Sequence, residues 1–157
     1  PLINEAAVDK VERQVRDAID KGAALLAGGA RLTDSGLDKG CFYDATVLTD
    51  VSPDMLIYRE ETFGPIAAVV PFDDEDDVIA MANDTHYGLA AYVYTQNLAR
   101  ALRAFEQLQF GIIGINDINP TSAAAPFGGM KESGLGREGA REGIEEYLET
   151  KLGGFSI

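Results

Sequence analysis

Val8, Val11, Val15, Ala18 and Ile19 recur at spacings of three and four, with Lys, Arg, Asp and Glu between them. A 3.6-residue period gathers those side chains on one face. The spacing therefore predicts an amphipathic helix over about 5–21, with Asn4 as its N-cap and Gly22 as its stop. Residues 23–27 are a short apolar run closed by Gly28-Gly29, read as a buried strand. The segment 33–40, T-D-S-G-L-D-K-G, is a loop by composition. Residues 42–48, rich in aromatic and β-branched side chains, predict a strand.

The second half alternates more clearly. Residues 66–72 (I-A-A-V-V-P-F) form a continuous apolar run, as a strand covered on both faces would. The acidic D-D-E-D-D at 73–77 precedes Val78, Ile79 and Met81, and acidic side chains suit the first turn of a helix because they face the positive end of its dipole. A strand follows at 89–95. Asn97 can cap a helix with Leu98, Leu102, Phe105 and Leu108 as its apolar positions; Gly111 closes it, and 112–115 is again a strand. Strand, helix, strand, helix, strand at this spacing predicts βαβ units and an α/β fold with a mainly parallel sheet and flanking helices.

Regularity stops after Asn116. Residues 116–137 hold two prolines, several glycines and many small side chains without a period. A loop this long inside a domain is uncommon unless it has a function. A last helix is expected at 139–149, then the short tail K-L-G-G-F-S-I. With no repeat and no clean linker, 1–150 reads as one domain.

Composition narrows the function classes. The 157 residues are 46% hydrophobic and 25% charged, as in ordinary globular proteins. A formal net charge of −13 disfavours nucleic acid and anionic membrane surfaces, because both are bound through Lys and Arg. No apolar run approaches the roughly 18–20 residues that would span a bilayer. P-L-I-N-E leads straight into a polar amphipathic segment, without the pattern of a secretory signal. The single cysteine, Cys41, cannot form an internal disulfide, and a reducing cytoplasm is the expectation. Asn83-Asp84-Thr85 fits a glycosylation acceptor, which is read as chance. A first residue of Pro fits either processing or a piece of a longer protein.

Residues 134–139, G-L-G-R-E-G, fit G-x-G-x-x-G. A dinucleotide fingerprint must follow a strand, open a helix, and leave room for a second strand bearing an acidic residue about 20 positions on. Here the preceding P-F-G-G-M-K-E-S is loop, and too little chain follows to complete a βαβ unit. Lys131 with Gly128 and Gly129 also lacks the spacing of a phosphate loop. These glycines are better read as turn residues leading into the last helix.

Three other stretches are more specific. They are E-E-T-F-G-P at 60–65, N-D-T-H-Y-G-L at 83–89 and P-F-G-G-M-K-E-S-G-L-G-R-E at 126–138. In this order and at similar separations they resemble the aldehyde dehydrogenase superfamily. The opening P-L-I-N and the ending E-E-Y-L-E-T-K, 145–151, fit the same resemblance, which is greatest toward the NAD(P)-dependent succinate-semialdehyde dehydrogenases. The resemblance implies a partial catalytic domain over 1–150, corresponding to the last third of such an enzyme. It places the nucleophilic cysteine, the glutamate general base and most of the NAD or NADP site upstream. No residue of this chain is then catalytic, and the chain alone is expected to be inactive. Cys41 falls where the family has no catalytic residue and reads as a packed small hydrophobe. His86, the only histidine, lies in a loop and supports no metal site.

The same resemblance implies roles for individual residues. Glu61 would accept hydrogen bonds from the nicotinamide ribose hydroxyls, which suits a carboxylate because it can take two vicinal donors. Phe63 would help position the nicotinamide. Leu89 would border the cofactor, with core packing an equal rival. The loop 116–127 would wall the aldehyde channel. Thr121 would stand where succinate-semialdehyde enzymes offer a serine to the distal carboxylate, with Ser122 as the neighbouring candidate and Phe127 flanking the aldehyde. Threonine at 121 departs from that pattern. An Arg137–Glu149 pair would pin the loop to the last helix near a subunit interface. Residues 151–157 resemble the strand that joins subunits, implying a homo-oligomer, dimer or tetramer. The partners implied are a small-molecule aldehyde and the remainder of the same enzyme. Two alternatives stay open: a stand-alone, non-enzymatic α/β module for interaction or oligomerisation, and an aldehyde dehydrogenase for another aldehyde.

Overall fold

Helix α1 runs Glu5–Asp20 in the computed structural model, which describes Pro1–Ile157 apart from the Ser35 side chain. Its start is local chemistry: the Asn4 side chain accepts from the Ala7 amide at 2.9 Å, satisfying a donor that has no partner within the helix. Lys21 caps its end, and Gly22 follows with a φ of 104°, which suits glycine. Val8, Val11, Gln14, Val15 and Ala18 form its buried face, whereas Ile19 is left exposed.

Contacts divide the chain into two compact units, Pro1–Asp73 and Asp74–Ile157, where the sequence suggests one domain over 1–150. In the first unit, strand β1 (Ala24–Ala27) pairs antiparallel with β2 (Thr46–Thr49), and β2 pairs parallel with β3 (Ile66–Ala68). A 3-10 turn, Asp34–Lys39, and a one-turn helix α2, Leu56–Arg59, lie between them. The core joins the apolar face of α1 to Tyr43, Leu48, Val51, Met55 and Ile57.

Two expectations of burial fail here. Only Ala23 of the 23–27 run is buried; β1 is an edge strand and Leu26 is 65% exposed. Strand β3 is likewise an edge and shorter than 66–72, with Val69 and Phe72 exposed. The ladder does continue one residue past β3, since the Val69 amide donates to the Leu48 carbonyl at 2.9 Å. The elements of this unit bury their apolar faces in one cluster, so a run apolar on every side keeps part of itself outside.

The second unit begins with helix α3, Glu75–Asn83, capped by the Asp74 carboxylate, which accepts from the Asp76 and Asp77 amides. Strand β4 (Ala90–Val93), helix α4 (Leu98–Gln107) and strand β5 (Ile112–Ile115) form a βαβ unit, with β4 and β5 parallel from Ala90↔Ile112 to Val93↔Ile115. Asn97 caps α4 through the Arg100 amide. Arg100 and Arg103 pair with Glu75, and Arg103 also with Asp76, so part of the acidic first turn of α3 is offset by cations from α4. The architecture is α/β with two parallel strand pairings and one antiparallel. The last helix, α5, spans Glu142–Glu145 instead of 139–149, because positive φ at Gly139 and Ala140 delays its start. Residues 151–157 carry no regular secondary structure.

Candidate functional site

In the first unit the predicted cofactor residues lie on the connector between α2 and β3. Glu60 follows α2, and its carboxylate is taken up at once. Arg13 Nη2 donates to Glu60 Oε2 at 2.7 Å, Arg13 Nη1 to Oε1 at 3.3 Å, and Gln14 Nε2 to Oε2 at 3.2 Å. The Arg13 guanidinium holds the Glu60 carboxyl below the usual carboxylate range, with a smaller contribution from Gln14. Glu61 is different. Its backbone carbonyl accepts from Lys10 Nζ at 3.2 Å, while its exposed carboxylate has no partner among the described residues. Phe63 is 78% exposed and sits at φ 45°, an uncommon place for a side chain of that bulk. Behind it, Gly64 backs onto α1 so closely that a Cβ would stand 2.6 Å from Val11 Cγ2.

In the second unit the 83–89 and 126–138 motifs are joined. The Gly88 carbonyl accepts from both the Gly111 and the Met130 amides at 2.9 Å, and the Gly88 amide donates to Ser133 Oγ at 2.9 Å. Lys131 Nζ donates to the carbonyls of Asn83 (2.8 Å) and Thr85 (3.1 Å). Phe127 and Glu138 exchange both backbone hydrogen bonds, closing the glycine-rich turn between them. Gly134, Gly136 and Gly139 all take positive φ, at 134°, 74° and 69°. No strand precedes them; a 3-10 turn, Lys131–Ser133, does. The pattern that imitates a dinucleotide fingerprint is thus a run of tight turns.

Beside the start of β5 is a hollow of about 160 Å³. Gly111, Ile112 and Ile113 form one side, and Pro120, Thr121, Ala125, Pro126 and Phe127 the other. Thr121 Oγ1 donates to Asn119 Oδ1 at 2.8 Å. Of the predicted substrate residues, Thr121 and Phe127 therefore meet in one hollow. Ser122 does not line it; it is exposed, and its carbonyl accepts from the Ala125 amide. The Leu89 backbone carbonyl accepts from the Ile112 amide at 3.0 Å, and the residue is 41% exposed.

Arg137 corrects an expectation. Its Nη1 donates to the backbone carbonyls of Gly129 (2.9 Å) and Gly136 (2.6 Å), and among the described residues it makes no pair with Glu149. The guanidinium braces the turn itself, and the Glu146 carboxylate lies beside Gly136. Cys41 packs partly buried against the first unit's core, with Sγ 3.4 Å from Glu5 Oε1. Burial, then the Glu5 carboxylate, pushes its thiol above the ordinary range, which keeps it protonated and a poor nucleophile. Sequence reasoning missed Lys10, Arg13 and Gln14, which hold a segment 46–51 residues away. One signal was present: a glutamine at 14 interrupts an otherwise apolar helix face.

Comparison with known proteins gives a consistent result. Residues 1–152 match the aldehyde dehydrogenase family. The chain is 52% identical over 151 residues to mitochondrial succinate-semialdehyde dehydrogenase of Oryza sativa subsp. japonica, covering 96% of this chain and 28% of that protein. It is 49% identical over 157 residues to 3-sulfolactaldehyde dehydrogenase of Pseudomonas putida, covering 98% and 32%. Among solved structures, betaine aldehyde dehydrogenase from Staphylococcus aureus in complex with NAD+ superimposes with a TM-score of 0.88 at 40% identity, covering 96% of this chain and 30% of that one. The chain thus spans about three tenths of the length of the proteins it matches. It belongs to the aldehyde dehydrogenase family.

Proposed function

We propose that the chain works as the C-terminal part of an NAD(P)-dependent aldehyde dehydrogenase, supplying the nicotinamide-ribose contact and one wall of the aldehyde channel. The reaction is RCHO + NAD(P)+ + H2O → RCOO− + NAD(P)H + 2 H+. One observation carries this reading: of two consecutive carboxylates, Glu60's is tied off by Arg13 and Gln14 while Glu61's stands exposed, without a partner among the described residues, next to exposed Phe63. A free carboxylate on a short connector fits a vicinal diol, because its two oxygens can each accept one hydroxyl. The cofactor, when bound, accepts the hydride. Glu61 would fix the ribose that bears the nicotinamide, and Phe63 would restrict the ring's orientation. On the second unit, exposed Leu89 is a candidate cofactor contact in its own right.

At the hollow, Phe127, Pro126 and Ala125 offer apolar surface to a short carbon chain, and Thr121 the one side-chain hydroxyl. A hydroxyl has one proton to donate. Turning it toward a substrate carboxylate means leaving Asn119, whose amide oxygen must then find another donor. Succinic semialdehyde is the substrate this arrangement favours. The two relatives above are named for succinic semialdehyde and 3-sulfolactaldehyde, both of which carry an anion beyond the aldehyde. The remainder of the enzyme would supply nucleophile, base and adenosine site, in a reducing compartment and as a homo-oligomer.

Nicotinamide reduction by the complete enzyme and by the 157-residue chain tests this directly. The complete enzyme is expected to oxidise succinic semialdehyde in preference to non-carboxylated aldehydes of similar size, and Thr121→Val to raise KM for the carboxylated substrate alone. The 157-residue chain is expected to give no turnover. Turnover by that chain, or no reduction of NAD+ or NADP+ by the complete protein, contradicts the reading.

A further inference from the structure

We propose that helix α1 is a positioning element for the nicotinamide contact, acting through Lys10, Arg13 and Gln14 on the connector 60–64; this rests on the role given to Glu61 and Phe63 above. Lys10, Arg13 and Gln14 are spaced i, i+3, i+4, so they share one flank of α1. From that flank they take hold of successive residues: Lys10 grips the Glu61 carbonyl, and Arg13 with Gln14 grips the Glu60 carboxylate through three hydrogen bonds. Val11, between them, abuts Gly64 with no room for a Cβ. These four anchors of the connector therefore all come from one helix.

Gln14 distinguishes positioning from ordinary stabilisation. Its side chain is fully buried among Val8, Val11, Val15 and Ala18, yet only its Nε2 is satisfied; Oε1 has no hydrogen-bond partner. A carboxylate can only accept, so the amide must present nitrogen to Glu60 and leave its oxygen in the core. A buried, unsatisfied carbonyl costs stability, and an apolar side chain of similar volume would fill the site without that cost. What Gln14 provides and a leucine would not is a fixed donor to the residue before Glu61. Phe63 points the same way: a non-glycine residue held at φ 45° needs surroundings that over-determine it.

The test uses Gln14→Leu, with Arg13→Ala as a second variant at a half-exposed position that carries little folding risk. In the 157-residue chain, NMR backbone order parameters of residues 61–64 are expected to fall from rigid values of about 0.85 toward 0.6 or below. The Tm of Gln14→Leu is expected to be unchanged or higher. In the complete enzyme, KM for NAD(P)+ should rise roughly 10-fold for Gln14→Leu and up to about 5-fold for Arg13→Ala, with partial rescue by Arg13→Lys. A lower Tm for Gln14→Leu beside unchanged order parameters and unchanged cofactor KM overturns the positioning role. Glu61→Gln separates the two layers. If it weakens NAD(P)+ binding while Gln14→Leu and Arg13→Ala do not, the positioning role alone fails; if it has no effect, the reading of Glu61 fails and the positioning role with it.

Discussion

Gly111 is where the 126–138 motif meets the sheet, and replacing it with alanine is the sharpest structural perturbation available. A Cβ there would lie 1.8 Å from the Gly128 carbonyl oxygen and 3.2 Å from Gly129 Cα, whereas real Cβ atoms essentially never come closer than 3.0 Å. Both atoms at risk are backbone, so no side chain can swing away. The 128–130 segment must retreat by more than 1 Å, and it is held by the bond from Met130 N to Gly88 O at 2.9 Å. Losing that bond costs about 1 kcal/mol, and overpacking a close-fitted site about 1–3 kcal/mol. Together Gly111→Ala should destabilise the second unit by about 2–4 kcal/mol, against a total of at most on the order of 10 kcal/mol for a unit of this size. The assay is urea unfolding followed by NMR resonances of β4 and β5. Gly154→Ala serves as control, since nothing lies within 4 Å of a Cβ there. The hollow should deform as well, because Gly111 and Phe127 both line it. A destabilisation below about 0.5 kcal/mol with an unchanged m-value would refute the close approach on which the joined motifs depend.

Two further outcomes follow from the titrating groups. Glu5, Asp17, Asp54 and Glu60 are all held below the ordinary carboxylate range, chiefly by Arg31, the Leu56 amide, the Ser52 hydroxyl and Arg13 respectively. A depressed carboxylate contributes stability that is present above its unfolded pKa and lost as pH falls through its folded one. The first unit should therefore lose stability from about pH 5 down to about pH 3, and Arg13→Ala should flatten that loss; resonances of Leu48 and Val51 report it, and a flat profile in the unmutated chain would contradict it. Cys41 should alkylate more slowly at about pH 8 than a free thiol, and Glu5→Gln should speed it. A rate equal to that of a model thiol would contradict the protonated, partly buried state.

Elements with local signals were legible in the sequence. Asn4 and Asn97 cap their helices as expected, the acidic run 73–77 does open a helix, with Asp74 as its cap, and 112–115 is a strand with the bounds expected. Burial was less so. The runs 23–27 and 66–72 carry apolar side chains on every side, a pattern that encodes a covered strand without saying what covers it. A helix over 139–149 would start at Gly139 and Ala140, whereas their positive φ makes them part of the turn, and α5 spans only Glu142–Glu145. At the candidate site, the connector 60–64 and the 126–138 turn are marked in the sequence by contiguous motifs. Thr121 and Phe127 share a hollow that Ser122 does not line. The Arg137–Glu149 pair failed because backbone carbonyls within the turn lie closer to the guanidinium than any side chain of the tail. The grip of α1 on Glu60 and Glu61 is non-local, joining residues 46–51 positions apart, and no short window contains it.

The central claim is that Glu61 holds the nicotinamide ribose, and equilibrium titration of NAD+ and NADP+ into the complete enzyme bearing Glu61→Gln tests it most directly. The carboxamide keeps the shape but can no longer accept two hydroxyls as an anion does, so affinity should fall roughly 10-fold or more for whichever cofactor the enzyme uses. Glu60→Gln, one residue earlier, should act only through the connector and fall less. Equal binding by the unmutated enzyme and Glu61→Gln would contradict the account.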